Sequence, residues 1–451
     1  MTLKTRVQLS SMMLLQYFIW GCWYVTMGNY LMKTLHFDGN QVGHAYSTFA
    51  LAAMISPFFV GMIADKYFAT ERLLGFLHLF GALLLYFLSQ AESFTSFYWL
   101  LLAYTLCYTP TIALTNSLSF SQMKDPGADF PSIRVLGTIG WIISGLTIGY
   151  LGIEDKALFF EIASALSVVM GLYCFTMPHV PPKKDERRKT VAEIMGLDAL
   201  KLFKEKDFVI MILSSVLISI PLMFYYSFTN AFLNESGMVN AAGKMTMGQM
   251  SEIVFLLIMP FFFKRLGVKK MIMIGMLAWI ARYVLFAMGN NDALVWLFYL
   301  GIILHGICYD FFFVTGQIYV DKRAPAHLRN SAQGLITFAT YGLGFYLGSR
   351  ASGYVVNMFV IEGNLHDWEK IWFVPAAFSI FVFLFLLSCS KTRSKHKKTR
   401  QVQVWRAFIK FNQQGLFQRI QCFLIVGFTG DFGHLFGIYY LAIGIDHHYG
   451  S

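Results

Sequence analysis

The sequence predicts an all-α integral membrane protein, with twelve transmembrane helices in two sets of six and room for one further C-terminal helix. Three observations lead there. The 451 residues are 56% hydrophobic, 17% aromatic and only 14% charged, with a mean hydropathy of +0.55, far from the composition of a soluble domain. The apolar residues fall in runs of about 20, the length a helix needs to cross a hydrocarbon core roughly 30 Å thick. A single polar stretch, HVPPKKDERRKTVAEIMGLDALKLFKEKD (179–207), divides those runs six and six.

In order, spans are expected at 11–31, 43–64, 73–90, 97–118, 133–152, 157–177, 209–233, 247–263, 270–288, 294–318, 328–358 and 371–390. Lys4 and Arg6 before the first run resemble the start of a signal peptide. That run is too long and aromatic, and no small-residue cleavage site follows it, so it should remain as the first helix. The chain then divides into an N-terminal six-helix half (1–178), a central loop (179–208), a C-terminal six-helix half (209–390) and a basic tail (391–451). Within the tail, CFLIVGFTGDFGHLFGIYYLAIGI (422–445) is long enough to span a membrane, although Asp431 and His434 fall in its middle. It reads as an extra or peripheral helix that carries no site.

The net charge of +11 is explained by topology. Basic residues concentrate in alternate loops: Lys66 and Arg72; Lys264, Arg265, Lys269 and Lys270; Lys322, Arg323 and Arg329; and, most densely, Lys183 to Lys206 in the central loop. The opposite loops carry only Lys33, Lys156, Lys244 and Lys370. The positive-inside rule therefore puts the N-terminus, the central loop and the end of the last span in the cytoplasm of a cell whose inner membrane holds the chain. A nucleic-acid partner is unnecessary. The six cysteines are scattered singly, without CxxC or another metal spacing, which predicts neither disulfide nor metal. No nucleotide-binding loop or nucleophile–base arrangement is present, so neither a cofactor nor an enzyme is expected.

Two carboxylates stand inside apolar runs. Asp310 lies in LFYLGIILHGICYDFFFVTGQIYV (297–320) and Glu252 in MGQMSEIVFLLIMPFFF (247–263). A charge held there costs on the order of 3 kcal/mol or more, so such a residue is paired, faces an aqueous cavity, or exchanges a proton during function. Two acids in different spans point to ion-coupled transport. Pairing with embedded Arg282 or Arg350 is the structural alternative, and His305, one turn before Tyr309, either shares the proton role or packs.

Weak internal symmetry accompanies the six-and-six layout. GMIADKYFATERLL (61–74) and PFFFKRLGVKKMIM (260–273) are short basic turns at matching positions, and Arg134 and Arg329 open corresponding spans. Gly61, Asp65 and Lys66 resemble the loop motif of the Major Facilitator Superfamily, in which Asp caps or pairs across a cytoplasmic gate. Its later basic part is reduced here to Arg72. The segments LQYFIWGCWYVTMGNYL (15–31), FDGNQVGHAYS (37–47), FPSIRVLGTIGW (130–141), MGLDALKLFK (195–204) and YDFFFVTGQIYVDK (309–322) resemble the nucleoside:proton symporter family of that superfamily, from about residue 3 to about residue 390. The resemblance implies a permease that imports nucleosides with protons by alternating access.

It also implies a substrate site. Arg134, Thr138 and Trp141, at i, i+4 and i+7, share one helix face. They match positions that line the family's nucleoside pocket, where the third is typically Phe. The alternative has Arg134 snorkelling to the interface or pairing with Asp129. Gln249 and Glu252, at i and i+3, match a family amide and acid, or else join helix to helix. Tyr309 and Asp310 match an aromatic–aspartate pair, with Asp310 or Glu252 the proton-coupling acid. Gln16, Trp20 and Trp23 form another face suited to stacking or to interface anchoring. The family's two amides on the seventh span are replaced: PLMFYYSFTNAFLNESG (221–237) puts Met223 and Tyr226 there, with Asn230 one turn on. A family Tyr in the tenth span is His305. These departures leave a sugar or modified nucleoside open as substrate.

Overall fold

A computed structural model describes residues 1–59, 67–182, 197–325 and 328–389. The gate motif Gly61, Asp65 and Lys66, the densest part of the central loop and the tail 391–451 lie outside the described residues. Those described form helices joined by short turns, with one isolated antiparallel bridge between Val360 and His366. Seven of the helices are long and apolar enough to cross a bilayer.

The predicted first span is broken. Helix α1 (Leu3–Tyr24) gives way to the short α2 (Met27–Lys33). The cause is Tyr46: its hydroxyl donates to the Tyr24 carbonyl at 2.7 Å and accepts from the Gly28 amide at 3.1 Å. A phenol thus stands where the helical bond between those two groups would be, a recognised cause of a kink. Tyr46 belongs to α3 (Gly39–Phe59), followed by α4 (Thr70–Ser89), α5 (Phe94–Ser121), α6 (Pro126–Leu151) and α7 (Leu158–Cys174). On α4, exposed Phe76, Phe80, Leu83 and Phe87 recur at helical spacing and form a lipid-compatible stripe.

After a 3-10 turn at Leu197–Lys204 come α8 (Lys206–Glu235) and α9 (Ala241–Met288). The last run contains both the eighth and ninth predicted spans. Gly267, at φ 71° and ψ 169°, separates them, a backbone conformation open to glycine and closed to most side chains. Helix α10 (Val295–Arg323) and helix α11 (329–358) each contain a π turn, at Asp310–Val314 and Phe338–Gly344. Such turns recur at functional sites because they redirect side chains. Helix α12 (Trp368–Cys389) ends the described chain.

Helices α1 and α6, α4 and α7, and α9 and α12 pack together. Three further pairs join segments before residue 179 to segments after 208: α3 with α11, α6 with α9, and α2 with α8. Their closest approaches use residues without side chains. A Cβ on Gly28 would overlap the Ser227 carbonyl, and one on Gly43 would lie 3.0 Å from Gly353 Cα. These crossings lie at the ends of the helices remote from the central loop.

Candidate functional site

Between these helices lies a cavity of about 410 Å³. One wall is aromatic. Trp20 stacks on Phe49 with centroids 4.8 Å apart and meets Trp141 edge-on at 5.2 Å; Tyr24 touches Trp20, Phe49 and Tyr226. Rings arranged in this offset and edge-to-face manner support one another and leave π-faces for a planar guest.

Polar groups reach the cavity from most of these helices, Tyr24 from α1 and Asn116 from α5 among them. Arg134 and Thr138 project from α6, Gln249 and Glu252 from α9, Tyr309 from α10 and Tyr341 from α11. The Arg134 guanidinium lies 4.1 Å over the Tyr17 ring, which holds it in place by a cation–π contact. It lines the cavity and does not snorkel. Tyr309 and Tyr341 share a hydrogen bond between hydroxyls, bringing the two π-turn helices together at the cavity wall. Among the lining residues the charged ones are Arg134 and Glu252. Several buried polar atoms on this wall have no protein partner: Trp20 Nε1, the Tyr24 hydroxyl and Asn116 Oδ1. Unpaired groups of this kind are costly unless a ligand or water meets them.

Of the residues singled out in the sequence, Arg134, Thr138, Trp141, Tyr226, Gln249, Glu252 and Tyr309 line the cavity together. Asp310 does not: it is fully buried behind the wall, and neither carboxylate oxygen has a hydrogen-bond partner. The face shared by Gln16, Trp20 and Trp23 divides, because only Trp20 reaches the cavity. Gln16 instead donates to Thr111 Oγ1 at 2.7 Å and lies 2.9 Å from His78 Nε2, tying α1 to α5 and α4. Met223 is buried away from the cavity, and Asn230 binds Glu154. Arg350 is exposed, whereas Arg282 is fully buried against His305.

Sequence reasoning missed Asn116, Tyr24, Phe49 and Tyr341. Asn116 carried a usable signal, a lone amide inside the apolar run 97–118. The aromatic residues carried none, since nearly every span contains several.

The pattern that defines the nucleoside H+ symporter family matches residues 3–395. The chain belongs to that family. This symporter is 42% identical over 400 residues to YegT of Escherichia coli (strain K12), a provisionally assigned nucleoside transporter, covering 85% of this chain and 94% of YegT. It is 35% identical to the xanthosine permease of the same organism, over 83% of this chain and 93% of the permease. The crystal structure of the nucleoside transporter NupG matches with a TM-score of 0.81 at 32% identity, over 86% of this chain and all of NupG. The symporter therefore has the Major Facilitator Superfamily fold. A POT family transporter, PepTSo, matches at a TM-score of 0.68 and 13% identity over 87% of this chain and 98% of its own, a likeness of fold alone. The symporter is a multi-pass membrane protein and a transporter, not an enzyme.

Proposed function

We propose that this symporter imports nucleosides with protons across the cytoplasmic membrane by alternating access, with the central cavity as the binding site. Residues 1–178 and 209–390 act as two six-helix halves that rock about the cavity, and 179–208 links them. The N-terminus, the linker and the end of α12 face the cytoplasm, in keeping with the alternation of basic loops. In this reading Gly61, Asp65 and Lys66 serve the gate on that side.

The observation that carries the reading is the make-up of the cavity: a guanidinium, a hydroxyl, an amide and a carboxylate converge beside stacked rings. A nucleoside presents matching surfaces, a flat base and a ribose with hydroxyl donors and acceptors. Arg134, Thr138, Gln249 and Glu252 supply the complementary hydrogen bonds. Trp141, Tyr226 and Tyr309 supply the walls. Glu252, on the cavity, and Asp310, sealed behind it, are the acids that couple proton movement to the rocking.

The test is uptake of radiolabelled uridine, adenosine and xanthosine by cells expressing the chain, with and without a protonophore. Protonophore-sensitive accumulation supports the proposal, and absence of uptake with the protein in the membrane rejects it. A second reading, transport of a modified nucleoside or a sugar-like solute, is favoured by the loss of both seventh-span amides to Met223 and Tyr226. Competition by unlabelled sugars against nucleosides separates the two.

A further inference from the structure

Arg282 sits among apolar residues in the last two turns of α9 and is fully buried. An arginine cannot shed its proton to escape such a site. Its guanidinium carbon lies 3.4 Å from the centre of the Tyr225 ring, and Nη1 is 2.9 Å from His305 Nδ1. Nε and Nη2 have no hydrogen-bond partner. Tyr225 also stacks on His305 itself, with centroids 5.0 Å apart and planes inclined by 22°. Imidazole and guanidinium thus share one aromatic platform.

This contact decides the chemistry of the imidazole. Arg282 only donates, so His305 Nδ1 must accept. An imidazolium would set N–H against N–H, and the Nδ1–H tautomer would do the same. The remaining form carries its proton on Nε2. That nitrogen is buried, lacks a hydrogen-bond partner, and lies 3.9 Å from Glu252 Oε2. The gap is too long for a hydrogen bond and short enough for rotation of the Glu252 carboxylate to close it. Beside it, Ser251 Oγ accepts from the Gly306 amide at 3.0 Å, which fixes α10 against α9 at this level.

We propose that Arg282 is a positioning residue that locks His305 as its Nε2–H tautomer, making His305 a donor-only partner for Glu252 behind the cavity wall. The inference deepens the proposed function, and rests on Glu252 being one of its coupling acids. A donor-only partner distinguishes the two states of the carboxylate. Ionised Glu252 accepts from Nε2–H and is drawn to the wall. Protonated Glu252 finds no acceptor there, because Nδ1 is occupied by Arg282, and is free to donate into the cavity. The proton that Glu252 releases therefore leaves through the cavity and does not pass to the imidazole.

Two measurements test this on the full chain in lipid nanodiscs or proteoliposomes. Nitrogen-15 NMR of histidine-labelled protein, with His305→Gln used for assignment, should show an unprotonated Nδ1 and a protonated Nε2 at neutral pH. Arg282→Leu should lose that pattern. An Nδ1–H tautomer or an imidazolium in the native protein would overturn the proposal. In nucleoside uptake, His305→Gln keeps an acceptor and a donor and should hold KM within about threefold of the native value, while His305→Leu should raise it about tenfold or more, the loss of a hydrogen bond to a charged group. Equal behaviour of the two variants also overturns it. The expected tautomer in a protein that moves no nucleoside would support the Arg282–His305 contact and reject nucleoside symport, so the two failures are distinguishable.

Discussion

The Glu154 carboxylate accepts a hydrogen bond from Asn230 Nδ2 at 2.7 Å, joining the turn after α6 to α8. The same oxygen accepts from Asn234 Nδ2 and from the Ala242 amide, each at 3.0 Å. Asn29 Nδ2 donates to the Glu154 main-chain carbonyl at 3.2 Å. A buried carboxylate is held here by amides and by the positive end of α9, with no cation among these partners. The residues it connects precede and follow the central loop, so it fastens the cavity at the end where α2, α3 and α6 cross α8, α11 and α9.

Removal of this fastening should open that end. Glu154→Ala takes the carboxylate acceptor from two buried donors, Asn230 Nδ2 and the Ala242 amide, at a cost of about 2 kcal/mol or more. The expected result is about 30-fold faster labelling of a single cysteine placed at Ser349 by a membrane-impermeant thiol reagent. An unchanged labelling rate would show that Glu154 does not hold the end closed.

The neighbouring ion pair should matter much less. Lys33 and Asp155 approach to 2.8 Å but are 61% and 30% exposed, and exposed pairs contribute about 0–1 kcal/mol. The hydrogen bond from Lys33, against some burial, holds the Asp155 carboxyl below the usual aspartate range. A lowered value in the folded state means the contribution is present at neutral pH and fades as pH falls through that value. Lys33→Ala should lower the thermal unfolding midpoint slightly at pH 7, and the difference from the native protein should disappear in strong acid.

Close backbone approach at the same end yields a second packing test. Gly28 meets the Ser227 carbonyl where α2 crosses α8, with no room for a methyl group. Gly28→Ala should cost about 1–3 kcal/mol in the closed arrangement and depress uptake while the protein still reaches the membrane. Normal uptake by this variant would mean that the crossing does not tighten during transport.

The helical membrane architecture was legible because bilayer thickness imposes run length. Part of the cavity lining was legible: Arg134, Thr138, Gln249 and Glu252 are polar groups in apolar runs, and the family resemblance marked them as pocket positions. The break in the first span was not legible. It depends on the Tyr46 hydroxyl reaching between Tyr24 and Gly28, a contact across helices that no local pattern announces. The place of Asp310 was equally hidden, since one position along α10 decides whether a side chain meets the cavity or lies behind it. The partner of Arg282 was not legible either: the sequence offered Glu252 and Asp310, whereas the contact that forms is with His305.

Arg134 is expected to tolerate lysine poorly. Its planar guanidinium lies over Tyr17 and still offers several donors to the cavity, whereas a lysine ammonium is a compact, strongly hydrated charge. Arg134→Lys should raise KM for nucleoside about tenfold with the protein still folded, and Tyr17→Leu should reproduce part of the loss. A KM unchanged in Arg134→Lys would show that charge alone is read at this position.

Asp310 offers the clearest separation of binding from coupling. It lies outside the cavity lining, is fully buried, and its oxygens have no hydrogen-bond partner. Asp310→Asn keeps the shape and removes the titratable charge, so it should leave the substrate contacts intact. If Asp310 couples the proton, the variant should exchange labelled for unlabelled nucleoside across a membrane yet fail to accumulate it against a gradient. Exchange and accumulation are measured in the same proteoliposomes, with and without an imposed pH difference. Full accumulation by Asp310→Asn would remove this acid from the coupling step and leave Glu252 to carry it, while loss of exchange as well would show that the buried carboxyl is needed for the rocking itself.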